Sequence, residues 1–373
     1  MSAAPPPSPA PRASRRRLLL VTIGCGLGLL AGEVAARALA FLGERRKRAD
    51  WERMCRGEAA PPRDREAKFG EFVGPSAHPD VIYEMVPNAR VRFLGVECTL
   101  NEAGFRGPPL PPRERAPGSL RIVGLGDSVM FGWRVAESDG FLRRLERTLR
   151  ARLPGRVVEV INTAVPGYNT AMEVAAFEHK ALALRPDIVL VDWVGNDADL
   201  PNLIANERHV FDPRRSFLYD LARRLLGWRT EWETGPLREA PLAGESYERD
   251  PDRVPRAYRD LVGEAGVVRA LRRLAALAQH HGFRVAVCSH YGVPGFLRAE
   301  CAAQGWPLLD NSHAVHAALR ERGLAPTEYR ASDLVIAPDD PHPSAAGHAL
   351  YSDQLADFLE RTGWLAPGAI QVR

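Results

Sequence analysis

The chain has 373 residues, 45% of them hydrophobic and 26% charged, which is room for one large or two ordinary globular domains with a substantial core. Its net charge of +4 is not spread over a surface: residues 1–48 carry nine Arg/Lys against Glu33 and Glu44, while the remainder carries 41 basic and 44 acidic residues. A basic excess confined to one terminus beside an apolar run excludes a nucleic-acid footprint and directs attention to a membrane.

Leu18 to Gly32 is that apolar run, preceded by Arg12, Arg15, Arg16 and Arg17. Its length suits a signal-peptide core, and it extends to Leu42 only if Glu33 and Arg37, four apart on one helical face, pair with each other. Residues 1–43 are read as a cytoplasmic tail and an uncleaved signal anchor, with the rest of the chain periplasmic or at the cell surface. A secreted protein, cleaved near Ala36-Arg37-Ala38 or Ala38-Leu39-Ala40, is the alternative. The five cysteines form no CxxC pair. Four lie beyond the anchor, which allows one or two disulfides in an oxidising compartment.

Residues 44–118 read as a charged, Pro-rich linker over 44–80 and then a small β-rich preface. Short β-like runs occur at 81–83, 90–94 and 97–100, followed by a turn, Asn101 to Gly107, that exposes Phe105 and Arg106. Over 119–363 strand and helix patterns alternate, as in a parallel sheet covered on both faces. Strands are predicted at 121–125, 157–161, 188–194, 283–288 and 306–309. Helices are predicted at 141–153, 170–184, 267–281, 314–322 and 345–361. Residues 198–255 interrupt this rhythm with an amphipathic helix (216–228) and a polar loop, either a lid or a variable decoration. Residues 364–373 form a tail.

Polar features fall at the carboxyl ends of the first three strands: Gly126-Asp127-Ser128, Gly167-Tyr168-Asn169 and Gly195-Asn196-Asp197. A fourth, Asp339-Asp340-Pro341-His342-Pro343, comes late in the chain. Strand ends on one side of a parallel sheet converge, so these segments can meet in space. Together they hold what acyl transfer needs. Ser128 requires a base, His342 has the right pKa, and Asp339, three residues earlier, can hold the imidazole tautomer. The backbone N–H of Ser128, that of Gly167 and the amide of Asn196 can form an oxyanion hole. Asp127 is assigned to capping.

These residues resemble the SGNH (GDSL-type) hydrolases. Gly126-Asp127-Ser128 with Gly132 matches the first block, Gly167 the second and Asn196 the third, and Asp339 with His342 matches the Asp-x-x-His pair. Val129 departs from the leucine of the family's motif, and Val194 from the usual third-block glycine. The resemblance spans roughly 119–363 and implies a flavodoxin-like three-layer α/β/α fold, with Ser128 as nucleophile and oxyanion donor. The preface resembles that of membrane-anchored bacterial members, where Asn-x-x-Gly-Phe-Arg-Gly precedes the catalytic domain. It implies a serine esterase acting on an acylated small molecule or polysaccharide, with an O-acetyl ester on cell-envelope or exported polysaccharide favoured. Transfer of the acyl group to a sugar hydroxyl, and a silent scaffold in polysaccharide assembly, are the alternatives.

No metal or organic cofactor is expected. A metal site from Asp339, Asp340, His342 and His348 is disfavoured because the helix beginning at Ala345 carries His348 away. The scattered His290 lacks a carboxylate at suggestive spacing. Gly124-x-Gly126 fails as a dinucleotide loop because Val129 takes the place of its third glycine. Trp133 and Arg134 are either packing residues or part of the substrate site.

Overall fold

The amino-terminal apolar run lies in α1 (Pro11–Cys55), one uninterrupted helix of a computed structural model that describes residues 11–206, 212–213, 215–227, 236–244 and 246–366. Glu33 and Arg37 pair at 2.8 Å, as their spacing predicts. The helix is long and apolar enough to cross a membrane. It does not stop where the charged, Pro-rich segment begins. Trp51 is buried, and its indole lies against Gly74, where any Cβ would collide with it. Residues 44–80 are therefore not a free linker, because Trp51, Ala67, Phe72 and Val73 share one core with Leu120 and Ile122. Their apolar side chains are too sparse among Pro and charged residues to display a period.

Two antiparallel hairpins follow, β1 (Val73–Pro75) with β2 (Tyr83–Met85), and β3 (Arg90–Phe93) with β4 (Val96–Thr99). From Leu120 the predicted alternation appears: β5 (Leu120–Leu125), the single-turn α2 (Ser128–Phe131), α3 (Phe141–Arg152), β6 (Val158–Asn162), α4 (Thr170–Ala176) and β7 (Ile188–Asp192). The insertion carries β8 (Leu203–Ala205), α5 (Phe217–Leu225), β9 (Leu237–Glu239) and a small hairpin of β10 (Leu242–Ala243) and β11 (Ser246–Tyr247). Next come α6 (Gly263–His281), β12 (Arg284–Ser289), α7 (Gly295–Gln304), β13 (Leu308–Asp310) and α8 (Ser312–Glu321). A hairpin of β14 (Val335–Ala337) and β15 (Asp340–Pro343) leads into α9 (Ala345–Arg361). Trp228, where the sequence ends the insertion helix, and the tail beyond 366 lie outside the described residues.

The central sheet has the order β13-β12-β7-β5-β6 with every neighbour parallel. In chain order this is 2-1-3-4-5, the flavodoxin-like winding, whose crevice opens where β5 and β7 send the chain to opposite sides. Period-two alternation divides the strands between two cores. Ile122 and Leu190 join Leu145 of α3 and Leu355 of α9, while Val123 and Val191 join Val174 of α4 and Leu271 of α6. This is the three-layer α/β/α architecture of the SGNH hydrolases.

The preface belongs to the first of these cores, through Tyr83, Val91, Phe93 and Leu100. Phe105 and Arg106 are buried rather than exposed. α7 and the β14–β15 hairpin have no counterpart in the predicted elements. All five cysteines are free thiols, with none of the one or two disulfides that the sequence allows; Cys98, Cys288 and Cys301 fill core space instead.

Candidate active site

The first site segment follows β5 without a spacer. Gly126 is required for room, not for a left-handed backbone: a Cβ there would meet Met130 Cβ at 2.7 Å. Asp127 caps α2, its Oδ1 accepting the Val129 N–H at 2.9 Å. Ser128 is thereby set at the carboxyl edge of the sheet, in the crevice.

His342 reaches this serine from β15. Its Nε2 lies 2.9 Å from Ser128 Oγ and its Nδ1 lies 2.6 Å from Asp340 Oδ1. The carboxylate is thus Asp340 and not Asp339. Side chains two apart on a strand share a face and those three apart do not; Asp339 is exposed just before β15 begins. Burial pushes the Asp340 carboxyl up, but hydrogen bonds from His342 and Arg134 outweigh it and leave the group below its ordinary value. Arg134 Nη1 stands 3.3 Å from Asp340 Oδ2. Trp133 stacks on the imidazole of His342, with centroids 5.2 Å apart and planes 24° from parallel, and is itself backed edge-on by Phe93 of the preface. Trp133 and Arg134 therefore flank the imidazole and its carboxylate, while His348 is buried beside Phe141, whose N–H it accepts.

The second and third segments meet the first. Gly167 has φ of 77°, and a Cβ there would land in the side chain of Asn202, so both backbone and space demand glycine. The N–H groups of Ser128 and Gly167 have no protein acceptor among the described residues. Asn196, half-buried, donates one amide hydrogen to Asp127 Oδ2 at 2.7 Å, and the second remains for a ligand. Asp127 Oδ2 also lies 3.2 Å from Ser128 Oγ. The single hydroxyl proton of Ser128 therefore has two acceptors, of which His342 is the nearer.

Beneath this floor lies a set of buried acids. Burial first, then the neighbouring Asp127 and Asp192, pushes Glu173 well up, and neither of its oxygens has a partner among the described residues. Asp197 is pushed well up for the same reasons even though its Oδ2 accepts the Val194 N–H at 2.9 Å. Desolvation also raises Asp127, with the bonds from Asn196 and Val129 opposing it. Further along the sheet, His290 Nε2 is 3.0 Å from Asp192 Oδ1, both fully buried, so His290 does have a carboxylate. Asp192 ends β7 and His290 directly follows the adjacent strand β12, a pairing that no sequence spacing reveals.

A residue outside the four segments holds the nucleophile turn from behind. Arg106 is 3% exposed, and its guanidinium donates to the carbonyls of Phe131 (3.0 Å), Gly132 (2.6 Å) and Val135 (2.7 Å) while lying over the Phe131 ring. The first two are carbonyls released where α2 ends, and the third belongs to the turn that follows it. Among the described residues no carboxylate pairs with Arg106, and burial lowers its pKa.

Residues 125–350, which include Ser128, Gly167, Asn196, Asp340 and His342, match the model of the GDSL-like Lipase/Acylhydrolase family. The chain belongs to this family. It is therefore an ester hydrolase, as the SGNH resemblance implies. No curated protein matches the chain. Among solved structures, a lipase/acylhydrolase from Enterococcus faecalis is 19% identical over 68% of this chain and all of its own length, with a TM-score of 0.39. The acetylxylan esterase Axe2 from Geobacillus stearothermophilus is 14% identical over 69% of this chain and 99% of its own, also with a TM-score of 0.39. Where Val194 departs from the SGNH pattern, its N–H is taken by Asp197, and Gly195 stands exposed beside Asn196.

Proposed function

We propose that this GDSL-like hydrolase is a serine esterase in which Ser128 is the nucleophile, His342 the proton shuttle and Asp340 the carboxylate that orients the imidazole. The 2.9 Å contact between Ser128 Oγ and His342 Nε2 carries the reading, since the two residues are 214 positions apart and meet at the sheet's switch point. Ser128 Oγ attacks the ester carbonyl as its proton passes to His342 Nε2, forming a tetrahedral intermediate. The N–H groups of Ser128 and Gly167 and the free hydrogen of the Asn196 amide hold the oxyanion. His342 then protonates the departing alcohol, and a water activated by the same imidazole releases the acid.

The favoured substrate is an O-acetyl ester on an extracytoplasmic polysaccharide. Trp133 offers a half-buried aromatic face and Arg134 an exposed cation at the mouth, which suit a sugar. The anchor is retained. Cleavage near Ala38 or Ala40 would strip Glu33 and Ala36 from α5, which both of them contact. Hydrolysis of an aryl acetate by the full-length protein tests the assignment: Ser128→Ala is expected to abolish turnover while leaving the thermal midpoint near that of the wild type. Activity retained in that variant would refute it.

A further inference from the structure

We propose that α5 is an interfacial helix that beds the catalytic domain on the lipid bilayer crossed by α1. The proposal rests on the reading of α1 as a retained membrane anchor and adds a second contact with the same membrane.

The placement of α5 is fixed by charge and by small residues. Glu33 Oε1 and Oε2 accept the N–H groups of Phe217 and Leu218, both at 2.9 Å, and Ser216 Oγ donates to the same carboxylate. Arg37 donates to the carbonyls of Asp212 and Arg215 and lies over the Phe217 ring. Gly32 and Ala36 leave room for Leu218 and Phe217, with Ala40 and Leu221 completing the contact. Both charges that interrupt the apolar stretch of α1 are thus consumed by the amino-terminal turn of α5.

The level of α5 along α1 then decides its surroundings. Exposed apolar side chains on α1 run from Leu18 to Leu42 and include Val34, Leu39, Phe41 and Leu42 on the faces that α5 leaves open. Such a stretch is about 37 Å long, more than the roughly 30 Å of a bilayer's hydrocarbon. Residues 32–40 fall in its outer half, and roughly 30 Å of hydrocarbon counted from Leu18 ends near residue 38, so a membrane spanned from that end has α5 at its boundary.

The composition of α5 fits that boundary. Phe217, Leu218 and Leu221 face α1, but Tyr219 (57% exposed), Leu225 (79%) and Leu226 (65%) do not. Among the described residues outside α1, the other exposed large hydrophobics are Val157, Leu242 and Tyr291, each less exposed than these three. In composition alone, the sequence over 223–232 adds Arg223, Arg224, Trp228, Arg229 and Trp232, a mixture of arginine and aromatic residues of the kind favoured at a headgroup layer. The insertion leaves the domain at Asn202, whose N–H donates to the Gly167 carbonyl at 2.9 Å. Bedding α5 therefore sets how far the crevice stands from the lipid.

The test uses the full-length protein in phosphatidylcholine vesicles containing lipids that carry a quencher near the headgroup or near the chain end. A thiol-reactive fluorophore is placed on Leu225→Cys in a Cys25→Ser/Cys55→Ser background, and separately on native Cys25 in a Cys55→Ser background; the remaining three cysteines are buried. The proposal expects loss of fluorescence at both sites, greater with the shallow quencher at position 225. Quenching at 25 with none at 225, or deeper quenching at 225 than shallow, overturns it and leaves the anchor standing. No quenching at 25 overturns the anchor and the proposal together. Tyr219→Cys provides a second label site should the first variant not fold.

Discussion

Asp340 and Asp339 are adjacent in sequence, yet one sits 2.6 Å from the imidazole and the other is exposed before the strand starts. That both an acid and His342 belong to the site was legible from their types and block order. Which acid was not, because the β14–β15 hairpin leaves no trace in the sequence pattern and its period of two replaces the expected three-residue spacing. Asp340→Asn should lower kcat by up to about 10⁴-fold by leaving the imidazole without its tautomer-fixing partner. Asp339→Asn should leave kcat essentially unchanged; equal losses in the two variants would return the role to Asp339. Burial effects were equally hidden. Burial, with Asp127 and Asp192 close by, pushes the Glu173 carboxyl well above the usual carboxylate range. A carboxyl whose folded pKa is raised binds its proton more tightly in the native state, so its contribution to stability is full below the unfolded value and is lost as pH rises through the folded one. Glu173→Gln is neutral at every pH and should flatten that decline. Comparing thermal midpoints at about pH 5 and about pH 8 checks it, the difference being smaller in the variant than in the wild type.

Among the elements, the long, strongly periodic ones were readable and the short, cross-braced ones were not. β5 and β7 appear within two residues of their predicted bounds, since continuous apolar runs are what a sheet covered on both faces demands. The helix predicted over 170–184 is regular only to Ala176 and closes through a π turn and a 3₁₀ turn, a change of hydrogen-bond pattern that side-chain spacing does not encode. The loop Asn101–Gly107 looked exposed because a Phe-Arg pair in a turn usually is. Here Asn101 Oδ1 accepts the N–H groups of Ala103 and Phe105, closing the turn and sending Arg106 inward behind α2. Arg106→Met would keep the bulk and remove the guanidinium donors from the Phe131 and Val135 carbonyls, while the Gly132 carbonyl keeps the Val135 N–H at 3.3 Å. With each of these two buried carbonyls costing roughly 1–3 kcal/mol when unsatisfied, the loss of stability should reach at least about 2 kcal/mol in denaturant titration. Because those carbonyls belong to the turn that presents Ser128, kcat should fall while KM changes little. An Arg106→Met variant with wild-type midpoint and kcat would show that the preface merely abuts the catalytic domain.

At the scale of the molecule, the sheet, its winding and its occupied crevice edge follow from a pattern spread over two hundred residues, whereas the joining of the amino-terminal third to that sheet follows from single contacts. Trp51 is the clearest of these. It comes from the last turns of α1, beyond the apolar run, and packs on Gly74 in the strand β1 that pairs with β2, so the helix is keyed into the preface and through it into the core of Leu120 and Ile122. A rigid helix entering the body this way would transmit the orientation of a membrane-embedded apolar stretch to the crevice, which a flexible stalk would not. Two truncations separate the cases, since both lack the apolar stretch and the contact with α5. A chain beginning at residue 44 retains Trp51 and should melt as a folded domain. One beginning at residue 57 lacks it, and removal of a buried Trp costs about 3–5 kcal/mol. Its midpoint should lie about 5–10 °C lower, with the indole-sized void beside Gly74 filled by water or by collapse of β1. Equal midpoints would mean that residues 44–56 are a tether after all, and that the proposed anchor would hold the enzyme near a bilayer without fixing how it faces it.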